Sequence, residues 1–464
     1  MAERSWLEDR EPNVEGRRVT VAGAARSGMA AAELLARRGA QVTLSEARLE
    51  APAAESLRAL GVTLELGGHR ADTFAKAELI VMSPGVPTEQ PVIANARKAG
   101  VPIIGELELA SRWLRGRIVA ITGTKGKSTT TELTGRILEA SGFAVTVGGN
   151  IGSPLSAQVD RSTAETMHVV EASSFQLEQI DTFHPWIAVM LNFSPDHLDR
   201  HPSVDAYAAA KARIFENQRA DDWKVINADD PTVLALARQA RAQTRLFSMK
   251  TAIPAGTRLE RGWIVDRVAD ESRKLVPLDA IHLLGPHLVN DVMAAVTVGA
   301  IAGAAPEAMT AAVEAFHGLE HAMEFVADIG GVRFVNDSKA TNVDAALHSI
   351  ESFEHNLVPI IGGRFKGGDL RLLREPLAKR AKAVVAIGEA RALVRDALAG
   401  AVEVHDAGTL EQAVASAFKL ATPVGVVLLA PACASFDMFR DYADRGRRFK
   451  EEVARVRQAL TPAS

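Results

Sequence analysis

Short apolar, β-branched runs recur along the chain, each closed by glycine or a polar residue and followed by a helix-forming stretch. The first is Arg18-Val-Thr-Val-Ala22. It leads into Gly23-Ala-Ala-Arg-Ser-Gly28 and a helical run of small and long residues to Arg38. Gly39 ends that run, Gln41-Val-Thr-Leu-Ser45 forms the next strand, and Glu46 stands at its carboxyl end. This is a βαβ unit of Rossmann type. Further strands are expected over 77–82, before Ser83-Pro-Gly85, and over 101–104. A second series begins at Arg117, with an apolar strand to Thr122, a glycine turn and a helix-forming run from Glu132 to Ala140. Strands follow over 144–147, 168–171 and 225–230, the last ending in carboxylates, and the continuous apolar run at 186–191 reads as a strand buried on both faces. Residues 203–217 are expected to be helical, and 244–284 to form a small antiparallel appendage. A third series starts near Leu319, with strands over 332–336, 358–361, 383–387 and 425–430 predicting another parallel set.

Length and composition narrow this picture. A chain of 464 residues implies two to four domains, and 47% hydrophobic residues supply substantial cores. A net charge of −4 gives no reason to expect nucleic acid or an anionic membrane as partner. The single cysteine, Cys433, leaves no internal disulfide framework and fits a reducing compartment. No stretch approaches the ~18 consecutive apolar residues of a membrane span, and the charged first twenty residues lack the apolar core of a leader. The expectation is a cytoplasmic monomer.

The strongest chemical signal is Gly123-Thr-Lys-Gly-Lys-Ser-Thr129, between an apolar strand and a helix. Backbone N–H groups at a helix N-terminus face an anion there, and the helix dipole favours its charge. Lys127 can reach β/γ phosphates and the Ser128 hydroxyl can ligate Mg²⁺. Ile121 stands where the first glycine of the general pattern would be, so this is a shorter variant. Glu171 and Asp196/His197 also follow strands of this series, where open α/β sheets bind ligands. One glutamate and the Ser128 hydroxyl suffice for Mg²⁺ beside phosphates, and the imidazole suggests a second metal. In the first series Ala25 replaces the glycine that a dinucleotide fingerprint needs, which argues against NAD. A nucleotide held less closely, or a turn with only a packing role, both stay open. Cys433 reads as structural.

These residues resemble the Mur ligases, the ATP-dependent amide-forming family of peptidoglycan synthesis. The resemblance covers nearly the whole chain. It rests on the phosphate loop, Gly149-Asn-Ile-Gly152, Glu171-Ala-Ser-Ser-Phe-Gln-Leu-Glu178, Asn192 to Asp199, Ala208-Ala-Ala-Lys-Ala-Arg-Ile-Phe215, Asn336-Asp-Ser-Lys-Ala-Thr-Asn342 and Pro431-Ala-Cys-Ala-Ser-Phe-Asp437. The last two, with Lys366, point to members that add D-glutamate. The expected architecture is α/β in three domains. These are a Rossmann-like, UDP-substrate-binding domain over 1–115, a P-loop ATPase-like parallel sheet with a small antiparallel appendage over 116–318, and a Rossmann-like, amino-acid-binding domain over 319–464.

The resemblance implies UDP-N-acetylmuramoyl-L-alanine, D-glutamate and ATP as partners, with two Mg²⁺ ions. It places Ala25, Arg26, Ser27, Glu46, Ser83, Gly85, Asn150 and Ser173 near the UDP-substrate, with Ser174 beside them. Gly123, Thr124, Lys125, Gly126, Lys127, Ser128, Thr129, Asp337 and Lys339 would meet ATP. Lys127, Glu171, His197 and a carbamylated Lys211 would be catalytic, the last three with Ser128 organising metal. Thr341, Lys366, Ser435, Phe436 and Tyr442 would hold D-glutamate. Two segments depart from the family: His321-Ala-Met-Glu324 lacks the expected cation at Ala322, and Gly285-Pro-His-Leu-Val-Asn-Asp291 has Leu288 and Asp291 in place of two asparagines. Sister ligases with another amino acid, and a nucleotide-binding relative without turnover, stay open.

Overall fold

The computed structural model describes residues 5–8, 10–51, 54–196, 200–268, 271–282 and 286–460. Among these residues the β-branched runs form three sheets, of five, nine and six strands. The chain separates into two compact units, residues 1–281 with 290–314, and residues 282–289 with 315–464.

The first unit holds two sheets. β1 (Arg18–Ala22), β2 (Gln41–Glu46), β3 (Thr63–Leu66), β4 (Leu79–Met82) and β5 (Ile103–Gly105) are all parallel, in the order β3-β2-β1-β4-β5. The order reverses between β1 and β4, which opens a crevice at their carboxyl ends. Gly28 lets the following helix approach closely, since a Cβ there would lie 1.9 Å from the Gly23 carbonyl oxygen.

The second sheet comprises β6 (Arg117–Thr122), β7 (Ala144–Gly149), β8 (Thr166–Glu171), β9 (Ile187–Met190), β10 (Trp223–Asn227), β11 (Gln243–Ser248), β12 (Gly256–Glu260), β13 (Trp263–Val268) and β14 (Glu271–Pro277). Its order is β14-β13-β12-β11-β10-β9-β6-β8-β7. The strand-rich segment after 243 therefore extends this sheet instead of standing apart. β11 and β12 still run parallel, and only the β12–β13 and β13–β14 pairings are antiparallel. The reversal comes at Arg261-Gly262, both with positive φ (48° and 79°), the geometry of a two-residue hairpin turn. The helix expected to run to 217 ends at Ala212 and tightens into a 3₁₀ turn over Arg213–Phe215. There the Arg213 guanidinium donates to the carbonyls of Leu177, Glu178 and Ile180, anchoring the chain where the helix stops.

The two sheets are stapled by Glu108, which is fully buried. Its carboxylate accepts from the backbone N–H groups of Asp181, Thr182 and Phe183, from the Thr182 hydroxyl, and from Arg112 at 2.7 Å.

The second unit holds β15 (Glu324–Ile329), β16 (Val332–Asn336), β17 (Leu357–Gly362), β18 (Val384–Ile387), β19 (Val404–Ala407) and β20 (Gly425–Leu429), in the order β15-β16-β20-β17-β18-β19. The expected parallel set is present, with a strand added at each edge: β15 turns through Gly330-Gly331 into β16 and is antiparallel to it, and β19 pairs parallel with β18. No described helix is long and apolar enough to cross a membrane.

Candidate active site

β6 ends at Thr122, and the chain turns through Gly123 and Gly126 into the helix Lys127–Ala140. Gly126 has φ +80°, a left-handed conformation that glycine adopts without steric cost. The turn is braced by Asn192, just beyond β9. Its amide oxygen accepts from the N–H groups of Thr124 (3.1 Å) and Lys125 (2.9 Å), while its amide nitrogen donates to the Lys125 carbonyl at 3.0 Å. Two lysines converge on the Gly123 carbonyl: Lys127 Nζ at 3.0 Å and Lys211 Nζ at 2.7 Å. Thr129 is half-buried in the first turn of the helix.

Lys211 is 1% exposed, and its ammonium lies 4.7 Å from the centre of the Tyr207 ring. Burial, reinforced by Lys127, brings its pKa down to about 7 against the opposing pull of Asp196 and Glu171. An amine so depressed is largely unprotonated just above neutrality and can react with CO₂.

Glu171 closes β8 and is buried. Both of its oxygens are engaged: Ser128 Oγ donates to Oε2 at 2.7 Å and Asn150 Nδ2 donates to Oε1 at 2.7 Å. Asn150, expected on the substrate side, thus belongs to this cluster. A hydroxyl and a carboxylate in contact beside a phosphate loop suit Mg²⁺, a hard cation that takes most of its remaining ligands from water and phosphate. His197 lies outside the described residues. Among those described, no three His, Cys, Asp or Glu side chains form a metal-binding group.

Asp291, one of the departures from the family pattern, packs directly under the loop. A Cβ on Gly126 would meet Asp291 Oδ1 at 2.0 Å. The carboxyl is buried, and burial raises its pKa to about 8 despite Lys127 nearby. It is therefore a neutral acid at pH 7, as the amide in that position would be.

The N-terminal candidates gather at the carboxyl ends of β1, β2 and β4. Ser83 Oγ donates to the Gly23 carbonyl at 3.0 Å, and Glu46 accepts from the Ala24 N–H at 2.7 Å. Burial alone would raise the Glu46 pKa, but hydrogen bonds from Arg48 and Ala24 hold it at about 2. Ala25 precedes the helix Arg26–Arg37, Ser27 is in its first turn, and Arg26 Nη1 reaches the Gly152 carbonyl at 3.1 Å. Gly85 is exposed just beyond Ser83. Ser173 instead caps a short helix through Gln176, so its hydroxyl is already occupied.

In the second unit three loops meet. Ala432 N donates to the Ala340 carbonyl at 3.0 Å, and Arg364 and Ala434 exchange backbone hydrogen bonds. These contacts join 337–341, carrying Asp337, Lys339 and Thr341, to 431–437, carrying Ser435 and Phe436. Arg364 brings along the glycine-rich loop of Lys366. Asp337 is buried and its pKa is raised by that burial; it accepts from the Ser349 hydroxyl and from Met323 N–H. Lys339 and Lys366 are exposed, Thr341 is half-buried and Ser435 is buried. Phe436 is 61% exposed and Tyr442 42%. Cys433 is buried with its thiol pushed up to about 11, as a structural residue should be. Asn192 opens one of the motif segments, but its bracing of the loop is not legible there, and no motif marks Arg445. A side chain's long-range partner has no local signature, whereas the loop it braces does.

Three family models match the chain in series: the Mur ligase MurD-like N-terminal domain over 17–105, the Mur ligase middle domain over 121–299, and the Mur ligase glutamate ligase domain over 321–433. The chain is 48% identical over 451 residues to the UDP-N-acetylmuramoylalanine–D-glutamate ligase of Acidobacterium capsulatum, covering 96% of this chain and 98% of that protein. It is 45% identical to the enzyme of that name from Koribacter versatilis, covering 96% and 98%. Among solved structures it resembles a pseudomurein peptide ligase type C from Methanothermus fervidus (TM-score 0.56, 18% identity, 95% of this chain and 100% of that one). It also resembles a UDP-N-acetylmuramate–alanine ligase from Thermotoga maritima (TM-score 0.56, 21% identity, 95% and 100%). These last two likenesses concern the fold alone.

Proposed function

The chain belongs to the Mur ligase family, and on that footing we propose that it joins D-glutamate to UDP-N-acetylmuramoyl-L-alanine at the expense of ATP, in cytoplasmic peptidoglycan synthesis. The observation that carries this reading is the full-length likeness to ligases of that name, together with a phosphate loop set against Glu171. The proposed division of labour is 1–115 for the UDP-substrate, 116–318 for ATP and 319–464 for the amino acid, acting as a monomer.

In this reading the alanyl carboxylate attacks the γ-phosphorus of ATP and displaces ADP to give an acyl phosphate; the D-glutamate amine then attacks the acyl carbon, loses a proton and forms the amide as the C–O bond to phosphate breaks. The loop N–H groups and Lys127 hold the transferring phosphoryl group and stabilise its charge. Ser128, Glu171, His197 and Lys211, the last as its carbamate, would hold Mg²⁺, which supplies Lewis-acid stabilisation of phosphate oxygens when bound. The carbamate converts an amine into an oxygen ligand, and the depressed pKa of Lys211 supports its formation. Asp337 and Lys339 attend the nucleotide. Thr341, Lys366, Ser435, Phe436 and Tyr442 recognise D-glutamate.

The decisive experiment is phosphate release from ATP with UDP-N-acetylmuramoyl-L-alanine, with and without D-glutamate, beside L-glutamate, L-alanine and diamino acids. D-Glutamate-dependent release is expected. Release with another amino acid instead would make this a sister ligase. Nucleotide binding without release would make it a non-catalytic relative, the reading that Ala322 and Leu288 favour.

A further inference from the structure

Arg445 is one of the largest fully buried side chains of the protein, at 1% exposure. It lies on the helix Tyr442–Leu460. A buried guanidinium normally faces a carboxylate, because an uncompensated charge away from water is costly. No carboxylate lies within ion-pair distance of Arg445 among the described residues. The adjacent Asp444 is engaged with Arg440, Arg447 and Arg448.

Arg445 spreads its three nitrogens over two loops. Nε donates to Ser338 Oγ at 2.9 Å, Nη2 to the Ser338 carbonyl at 2.9 Å, and Nη1 to the Cys433 carbonyl at 3.1 Å. Ser338 Oγ in turn donates to the Tyr442 carbonyl at 2.7 Å, returning the network to the helix. Ser338 stands between Asp337 and Lys339, and Cys433 two residues before Ser435. The buried cation thus ties together the segments that carry Asp337, Thr341, Ser435, Phe436 and Tyr442.

We propose that Arg445 is a positioning residue of the acceptor amino-acid pocket, setting the spacing of the 337–341 and 431–437 loops through its planar three-way fork. The assignment of these loops to D-glutamate rests on the function proposed above. The staple itself rests on geometry alone. Burial lowers the Arg445 pKa only to about 10, so the group stays charged in the physiological range. A lysine would keep the charge but cannot span three acceptors in fixed directions.

The test compares the wild type with Arg445→Lys and Ser338→Ala. Arg445→Lys is expected to raise KM for D-glutamate by about tenfold or more, since small misplacements of a binding group are amplified in rate and affinity. KM for UDP-N-acetylmuramoyl-L-alanine, whose candidate residues belong to the other unit, should stay unchanged. Ser338→Ala removes one acceptor while leaving the cation in place, so it serves if the arginine variant does not fold; a rise of roughly threefold or more is expected. Backbone amide exchange over 337–341 and 431–437 should quicken in both variants. Unchanged KM for D-glutamate and unchanged exchange in a folded Ser338→Ala protein would overturn the proposal. Faster exchange in a chain whose wild type ligates no D-glutamate would keep the staple and reject the substrate assignment instead.

Discussion

Ser128 Oγ and Glu171 Oε2 meet at 2.7 Å, joining the first turn of the phosphate-loop helix to the end of the neighbouring strand. The loop supplies donors for an anion, and this pair supplies oxygens for a cation. Glu171→Gln is expected to lower kcat by about 10²–10³-fold, the size of effect seen when one preorganised electrostatic group is removed from a transition-state site. Ser128→Ala should raise the Mg²⁺ concentration needed for half-maximal activity. Steady-state kinetics across a Mg²⁺ series checks both.

Lys211 gives a separate handle on the same site. Lys211→Ala should abolish ligation, with partial recovery on adding short carboxylic acids that replace the carbamate. Full activity without them would refute carbamylation. In the wild type the amine deprotonates near pH 7, so the form that accepts CO₂ grows as pH rises through that value. Activity measured after equilibration with CO₂ at pH 6 and pH 8 should be lower at pH 6.

Asp291 predicts a pH-dependent stability of defined sign. Its pKa is raised by burial from 3.8 to about 8. Between those values the folded state keeps a proton that the unfolded state has released, so this group's contribution to stability falls as pH rises from about 4 to 8. The slope approaches roughly 1.4 kcal/mol per pH unit at most. Asp291→Asn has no proton to lose. Urea unfolding should find the variant more stable than the wild type at pH 7.5, with the gap closing towards pH 5. A constant difference across that range would remove the explanation.

Glu108 is expected to be the most sensitive polar position of the first unit. Removing its carboxylate leaves Arg112 and three backbone N–H groups without their buried acceptor. Glu108→Ala should cost about 3–5 kcal/mol, the loss typical of breaking one partner out of a buried pair. Chemical denaturation is the appropriate measurement, and a loss below about 1 kcal/mol, typical of an exposed ion pair, would contradict the assignment.

The sequence by itself determined most of the parallel strands and the phosphate loop. A β-branched run makes a strand wherever both of its faces can be buried, and the glycines at 123 and 126 allow the turn that no other residue takes without strain. Both are local properties, so periodicity and residue type suffice to find them. The strands over 243–260 were visible in the same way, but their direction was not. Whether β12 joins its neighbour parallel or antiparallel depends on a partner strand, not on its own residues. The edge strands β15 and β19 lay outside the expected set, because their short runs mix polar and apolar residues and lack the continuous apolar pattern of a strand buried on both faces. Site residues divide along the same line. Lys127, Ser128 and Glu171 stand at strand ends that the pattern marks. Asn192 acts on a loop 67 residues away, and Arg445 on a serine 107 residues away. Burial by residues distant in sequence decided that Asp291 is a neutral acid and that Lys211 is not a solvated lysine. The free energy of a charge depends on the dielectric and the partners around it, and only the tertiary structure brings those together.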